Sequence, residues 1–182
     1  IGYHGNSVEN LLTGGHIAYT PITQFAEFTP KRYDYCFKQH ISNNETVYAN
    51  FVTHEWIKPK SEGKTPMYEA LIEVYRLVDE WCLNHLNRDS FPPIVFHITD
   101  GNATDGKATD LISIANDIKH TGTNDGHTLL VNVHIGSGHE YCSRGVLFPS
   151  YVDRHSASEQ MATLFAMSSE VPNALLNQLP AI

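Results

Sequence analysis

Two oxygen-bearing side chains stand where an α/β chain tends to do its chemistry. Asp100 closes the apolar run Ile94-Val95-Phe96-His97-Ile98, and Thr65 opens the helical stretch that precedes this run. Ligands of an open α/β sheet gather at the carboxyl ends of its strands. A carboxylate and a hydroxyl placed there are hard oxygen donors, suited to a hard cation such as Mg²⁺. Each residue also has a plainer use. An Asp after a strand often ends a turn, and Thr is a common helix N-cap.

Other groups with chemical potential have ordinary roles as well. His134, His139 and Cys142 fall in one loop region, with His4 near by topology, so a zinc site is conceivable. Their spacing follows no established pattern, and with eleven histidines some must come close by chance. His97, on a buried strand, reads as a hydrogen-bonded core residue. The stretch from Asp100 to Gly106 looks like a calcium loop, but Asp105 holds the position that needs Gly and no Glu closes it. Gly136-Ser137-Gly138 follows a strand without opening a helix, so it is a turn and not a dinucleotide fingerprint. No Gly-x-Ser-x-Gly elbow is present. A metal-dependent hydrolase centred on Asp100 would have to recruit Asp105 and His134, which nothing in their spacing demands. Trp56 and Trp81 read as core anchors.

The elements that must hold these residues are legible in the second half of the chain. Thr65 can cap a helix that begins at Pro66, a residue suited to the first helical position. Met67, Leu71, Val74, Val78 and Trp81 keep helical spacing, and the polar stretch from Asn84 to Ser90 ends it. The run from Ile94 reads as a buried parallel strand stopped at Thr99-Asp100-Gly101. Leu111, Ile114, Ala115 and Ile118 mark a second helix, and Thr123 to Gly126 a turn. Leu129 to Ile135 is the next strand, and Val146 to Phe148 a short one. Ser156 and Glu159 form a capping box for a helix carrying Met161, Leu164 and Phe165. Pro172 starts a last short helix that ends near Leu179.

This order predicts an α/β fold with a doubly wound, mostly parallel sheet and helices on both faces. The first 64 residues are less regular. Ile1 to His4 looks like a strand end, and Val8 to Leu12 like a strand before Gly14-Gly15. Tyr33 to Phe37 and Val47 to Ile57 are aromatic and β-branched, giving an irregular or hairpin insertion near residues 29–60.

Composition bounds the class. The 182 residues suit one ordinary domain, and the 41% hydrophobic fraction is enough for a core. A net charge of −8 argues against nucleic acid as partner and is compatible with cations. No run of about 18 apolar residues predicts a membrane span. The cysteines, Cys36, Cys82 and Cys142, are odd in number and far apart, so reduced thiols in a cytoplasmic protein are expected.

Two local words carry a resemblance. Gly63-Lys64-Thr65-Pro66-Met67-Tyr68-Glu69-Ala70-Leu71 resembles the threonine loop of von Willebrand factor A domains. Ile94 to Gly106 (IVFHITDGNATDG) resembles their aspartate strand, and the order and separation of the two motifs fit. The Leu129 strand and the Leu164 to Ser169 stretch (LFAMSS) are similar to a bacterial, intracellular branch that includes tellurite-resistance-associated proteins. The likeness runs from about Trp56 to Leu176.

The resemblance implies a Rossmann-like domain with a metal-ion-dependent adhesion site. There Mg²⁺, or Mn²⁺ or Ca²⁺ in its place, is held by an Asp-x-Ser-x-Ser loop, a Thr and an Asp. An open position accepts an Asp or Glu carboxylate from a protein partner. Thr65 and Asp100 match the second and third loops. The first has no match among these residues. It follows from the resemblance that the first strand and helix of a single domain over residues 1–182 are missing. An N-terminal segment or a neighbouring chain would then complete the sheet. The implied role is protein binding without catalysis and without membrane contact, or a metal-free scaffold.

Overall fold

The computed structural model describes residues 1–25, 27–41, 45–58, 60, 62–100, 102–135 and 158–173. The chain divides into two units, one of residues 1–2 and 9–62, the other of residues 3–8 and 63–182. Strands β1 (Gly2–His4) and β2 (Ser7–Glu9) pair through a tight turn. Gly5 sits in that turn at φ 58°, a left-handed value that favours glycine.

In the first unit a short helix α1 (Ile22–Phe25) follows Pro21. The 11-residue strands β3 (Lys31–Ile41) and β4 (Glu45–Glu55) then form an antiparallel hairpin, in register from Lys31 opposite Glu55 to Ile41 opposite Glu45. The expected hairpin insertion is therefore present. Tyr35 stacks on its cross-strand partner Phe51 with ring centroids 5.7 Å apart, the kind of pair that stabilises two-stranded ribbons. Phe25 stacks on Trp56 at 4.9 Å.

The second unit carries the helices. α2 spans Met67–Asn84, β5 Ile94–Thr99, α3 Ala108–His120, β6 Gly122–Thr123, β7 Gly126–His127, β8 Leu129–His134 and α4 Glu159–Met167. β5 and β8 run parallel in register, from Ile94 beside Leu129 to Thr99 beside His134, with α3 making the crossover as expected. The far edge of β8 is met by the segment after α4. The Ser169 N–H donates to Leu130 O at 2.8 Å, and the Leu130 N–H donates to Ser169 Oγ at 2.9 Å.

The core gathers the inner faces of the helices: Met67, Leu71, Val78 and Cys82 of α2, Leu111, Ile114, Ala115 and Ile118 of α3, and Leu164 and Met167 of α4, closed by Leu130. These include all four apolar α3 positions expected from spacing. Val74 and Trp81, also expected, are partly buried and pack against this cluster. The sheet has a second character on its other side. Ile94, Phe96 and Ile98 of β5 are 45%, 67% and 57% exposed.

Several expectations are corrected. Mixed helices and strands are present, but each sheet among the described residues has two strands, and no doubly wound parallel sheet is seen. A parallel sheet grows only by long-range pairing, which local periodicity does not encode. β2 stops at Glu9, short of Leu12, because Asn10 folds its side-chain oxygen back onto the Leu12 and Thr13 N–H groups. The α4 cap is Ser158, whose hydroxyl accepts from the Met161 N–H. Ser156, the expected cap, lies outside the described residues, as do the Val146 to Phe148 strand and the helix beyond residue 173. No helix among the described residues is long and apolar enough to cross a membrane.

Candidate functional site

Helix α2 begins without a cap of its own. Pro66 occupies the cap position and has no side-chain acceptor, and Thr65 does not serve as the expected cap. The missing acceptor comes from 37 residues away. Asp105 takes the Tyr68 N–H on Oδ1 at 3.1 Å and the Glu69 N–H on Oδ2 at 2.9 Å. These N–H groups lack partners within the helix, and the helix dipole favours a carboxylate beside them.

Thr104 adds a second tie. Its Oγ1 accepts from the Thr65 N–H at 2.9 Å, and its own N–H donates to Thr65 O at 3.0 Å. Gly106 lets the two segments close, since a Cβ there would lie 2.9 Å from Tyr68 Cβ. The Thr65 segment is thus fastened to the loop that leaves Asp100. Asp100 itself is exposed, immediately after the last residue of β5. Thr65 is partly buried.

A polar chain runs beneath this edge. The Tyr3 hydroxyl is 2.8 Å from His97 Nε2, and His97 Nδ1 is 2.6 Å from Asn132 Oδ1. Asn132 Nδ2 donates to Ser168 Oγ at 2.9 Å and Leu164 O at 3.2 Å. The Asn132 oxygen must therefore accept from Nδ1–H of His97, which leaves Nε2 to accept from Tyr3. Burial pushes the His97 pKa down, against the opposing hydrogen bond to Asn132. Burial raises that of Tyr3, and the nearby Asp100 charge adds to the rise while a hydrogen bond to Thr99 opposes it. His97 is the hydrogen-bonded core histidine its strand position implies.

Thr65 and Asp100 offer a hydroxyl and a carboxylate, donors that fit a hard divalent cation, with the rest of a near-octahedral shell left to water or another chain. Among the described residues no three His, Cys, Asp or Glu side chains gather as a metal-binding group. Of the zinc candidates, His134 ends β8 and His4 ends β1. His139 and Cys142 lie outside the described residues. Cys36 and Cys82 are free thiols, and burial raises the pKa of Cys82.

Sequence reasoning did not find the structural roles of Tyr3, Thr104 and Asp105. The Thr-Asp pair three and four residues beyond Gly101 was a usable signal, since both types are strong acceptors for a helix start. No family model, no curated protein and no solved structure matches the chain.

Proposed function

We propose that this edge is a protein-binding site in which Thr65 and Asp100 help to hold Mg²⁺, and the cation takes an Asp or Glu carboxylate from a partner. The observation that supports it best is the double tie of Thr65 to Thr104, reinforced by Asp105, which fastens the threonine loop to the aspartate loop at the carboxyl end of β5. Other oxygen ligands of the cation would come from a serine loop of the Asp-x-Ser-x-Ser type, supplied by another segment or chain. Few charged ligands leave the cation electrophilic, so an anionic partner group gains most.

The doubly wound sheet belongs to the same reading. Parallel sheets are covered on both faces, and the apolar residues Ile94, Phe96 and Ile98 are suited to a cover not contributed by α2, α3 or α4. The free thiols fit a reducing, cytoplasmic setting. A hydrolase has less support, because both oxygens of Asp105, its second carboxylate, are engaged by α2.

The test is Mn²⁺ titration of the isotopically labelled chain, read as paramagnetic line broadening. Broadening is expected at Thr65, Asp100 and the 102–104 amides, and Asp100→Ala should remove it. Broadening centred elsewhere, or unchanged by that substitution, would overturn the site. Calorimetry should find Mg²⁺ binding to this chain weak, since two protein ligands replace little of the ion's hydration shell.

A further inference from the structure

β3 and β4 make a ribbon of two 11-residue strands, and no further strand joins either edge among the described residues. Such a ribbon is marginal in water until a third strand or a packed face supports it. Its described side chains are exposed or partly buried, and none is fully buried. The outer edge of β3 presents a row of N–H and C=O groups that β4 does not engage, a template for another strand.

The order of residues along β3 says which strand fits. Turned antiparallel onto itself about Cys36, its midpoint, β3 matches all 11 positions. Asp34 then falls opposite Lys38, and by symmetry this happens twice. Tyr35 falls opposite Phe37, again twice, in line with the Tyr35 and Phe51 stack already formed across the ribbon. Opposite charges and aromatic pairs are the cross-strand neighbours that stabilise a sheet. The outer matches, such as Arg32 with His40, set no like formal charges together at pH 7. Sliding β3 by two residues sets Arg32 opposite Lys38 in one direction and loses the Asp34 and Lys38 match in the other. A slip of one residue sets the aromatic positions against the polar ones. β4 fails the same comparison, since turned onto itself about Asn50 it sets Glu45 opposite Glu55. Charges on an edge ordinarily keep other strands away, but those of β3 are ordered so that a copy of the same strand satisfies them.

We infer that β3 pairs with β3 of a second copy, antiparallel about a two-fold axis at Cys36, so that two hairpins become one four-stranded sheet. The joint adds about ten backbone hydrogen bonds, because an antiparallel ladder exchanges two at every other pair. It closes on itself, so β3 recruits no third copy. The pairing is independent of the cation site.

The test is sedimentation of the whole chain, kept reduced and without added metal. A monomer and dimer in equilibrium are expected, with a dissociation constant on the order of 10 μM. Asp34→Lys sets like charges opposite each other at both matches, and so does Lys38→Asp. Either variant alone should weaken the dimer at least about tenfold. Mixed in equal amounts, the two variants restore opposite charges at both matches, and their heterodimer should form within about threefold of the wild-type affinity. Mixing cannot rescue a hairpin that has failed to fold. Diamide added to the wild-type dimer should join two copies through Cys36, as mapped by mass spectrometry. Directly opposite residues have Cα atoms about 4.5–5.5 Å apart, and a disulfide accepts about 4.4–6.8 Å.

A chain that stays monomeric, a dimer indifferent to both charge variants, or a mixture no tighter than the variants alone overturns the pairing. So does growth beyond the dimer, which β3 joined to β4 of the next copy would give. A wild-type dimer that diamide does not join through Cys36 has its axis elsewhere and overturns it as well.

Discussion

Thr65 and Thr104 hold each other by two hydrogen bonds, each donating its backbone N–H, one to a side-chain hydroxyl at 2.9 Å and the other to a carbonyl at 3.0 Å. The pair closes a ring between segments 39 residues apart. Replacing Thr104 by Val keeps shape and removes the hydroxyl acceptor. Thr104→Val should lower the unfolding free energy by roughly 0.5–1.5 kcal/mol in urea titration. It should also speed hydrogen exchange at the Thr65 amide. Unchanged exchange there would mean that the hydroxyl does not hold the threonine loop.

Asp105 does for α2 what an N-cap side chain does, from a distant loop. Asp105→Ala should destabilise the chain by about 1 kcal/mol, the usual loss when a cap is removed. Asp105→Asn keeps one acceptor but turns the other oxygen into an NH2 donor facing an α2 N–H and loses the charge that the helix dipole favours, so it too should destabilise the chain. Thermal melts of both variants at low and high salt give the check. The dipole share should shrink as salt rises, and an Asn variant as stable as the wild type would contradict the arrangement.

The buried neutral His97 makes stability depend on pH. Burial lowers its pKa in the folded chain below the usual value near 6.5. Between those two values the unfolded chain binds the proton and the folded chain does not, so stability rises with pH. Above the unfolded value this contribution is flat. As pH falls through about 6.5 stability should drop, by up to about 1.4 kcal/mol per pH unit for this one group, and level off below the folded pKa. The other histidines titrate too, so the quantity to measure is the difference between wild type and His97→Gln in denaturant unfolding across pH 5–8. A difference that does not change with pH would remove His97 as the cause.

The two faces of the β5 and β8 pair should respond differently to truncation. Leu130 is fully buried, and Leu130→Ala should cost about 2–5 kcal/mol. Phe96 is 67% exposed, and Phe96→Ala should cost less than about 1 kcal/mol in the isolated chain. A cost for Phe96 equal to that for Leu130 would show that its face is already covered.

Much of this architecture was legible because periodicity reports burial. The spacing of Leu111, Ile114, Ala115 and Ile118 described a helix face, and all four are buried on α3. The aromatic and β-branched runs near Tyr33 and Val47 described a hairpin, and β3 and β4 pair across 11 positions. The apolar run from Ile94 read as a strand buried on both sides, yet Ile94, Phe96 and Ile98 are exposed. A pattern records what a residue prefers, and the number of neighbouring strands is settled elsewhere in the chain. The site was half legible for the same reason. Thr65 and Asp100 announced themselves by position, but the groups that fasten their loops act across 36 to 39 residues, and local spacing cannot show such pairings.

The β3 and β4 hairpin and the β5 and β8 pair also differ in how far apart their partners lie along the chain, and this bears on how the protein is made. The hairpin closes between Ile41 and Glu45, so its strands can zip within about 1–10 μs of leaving the ribosome. β5 must wait for β8, since Ile94 finds Leu129 only after α3 and its turns have been synthesised. At about 5–20 residues per second, that interval is several seconds long. Throughout it Ile94, Val95, Phe96 and Ile98 form an unpaired β-prone stretch, free to stick to other nascent chains. Among the described ladders, the parallel pair is thus the one whose first strand waits longest for its partner during translation.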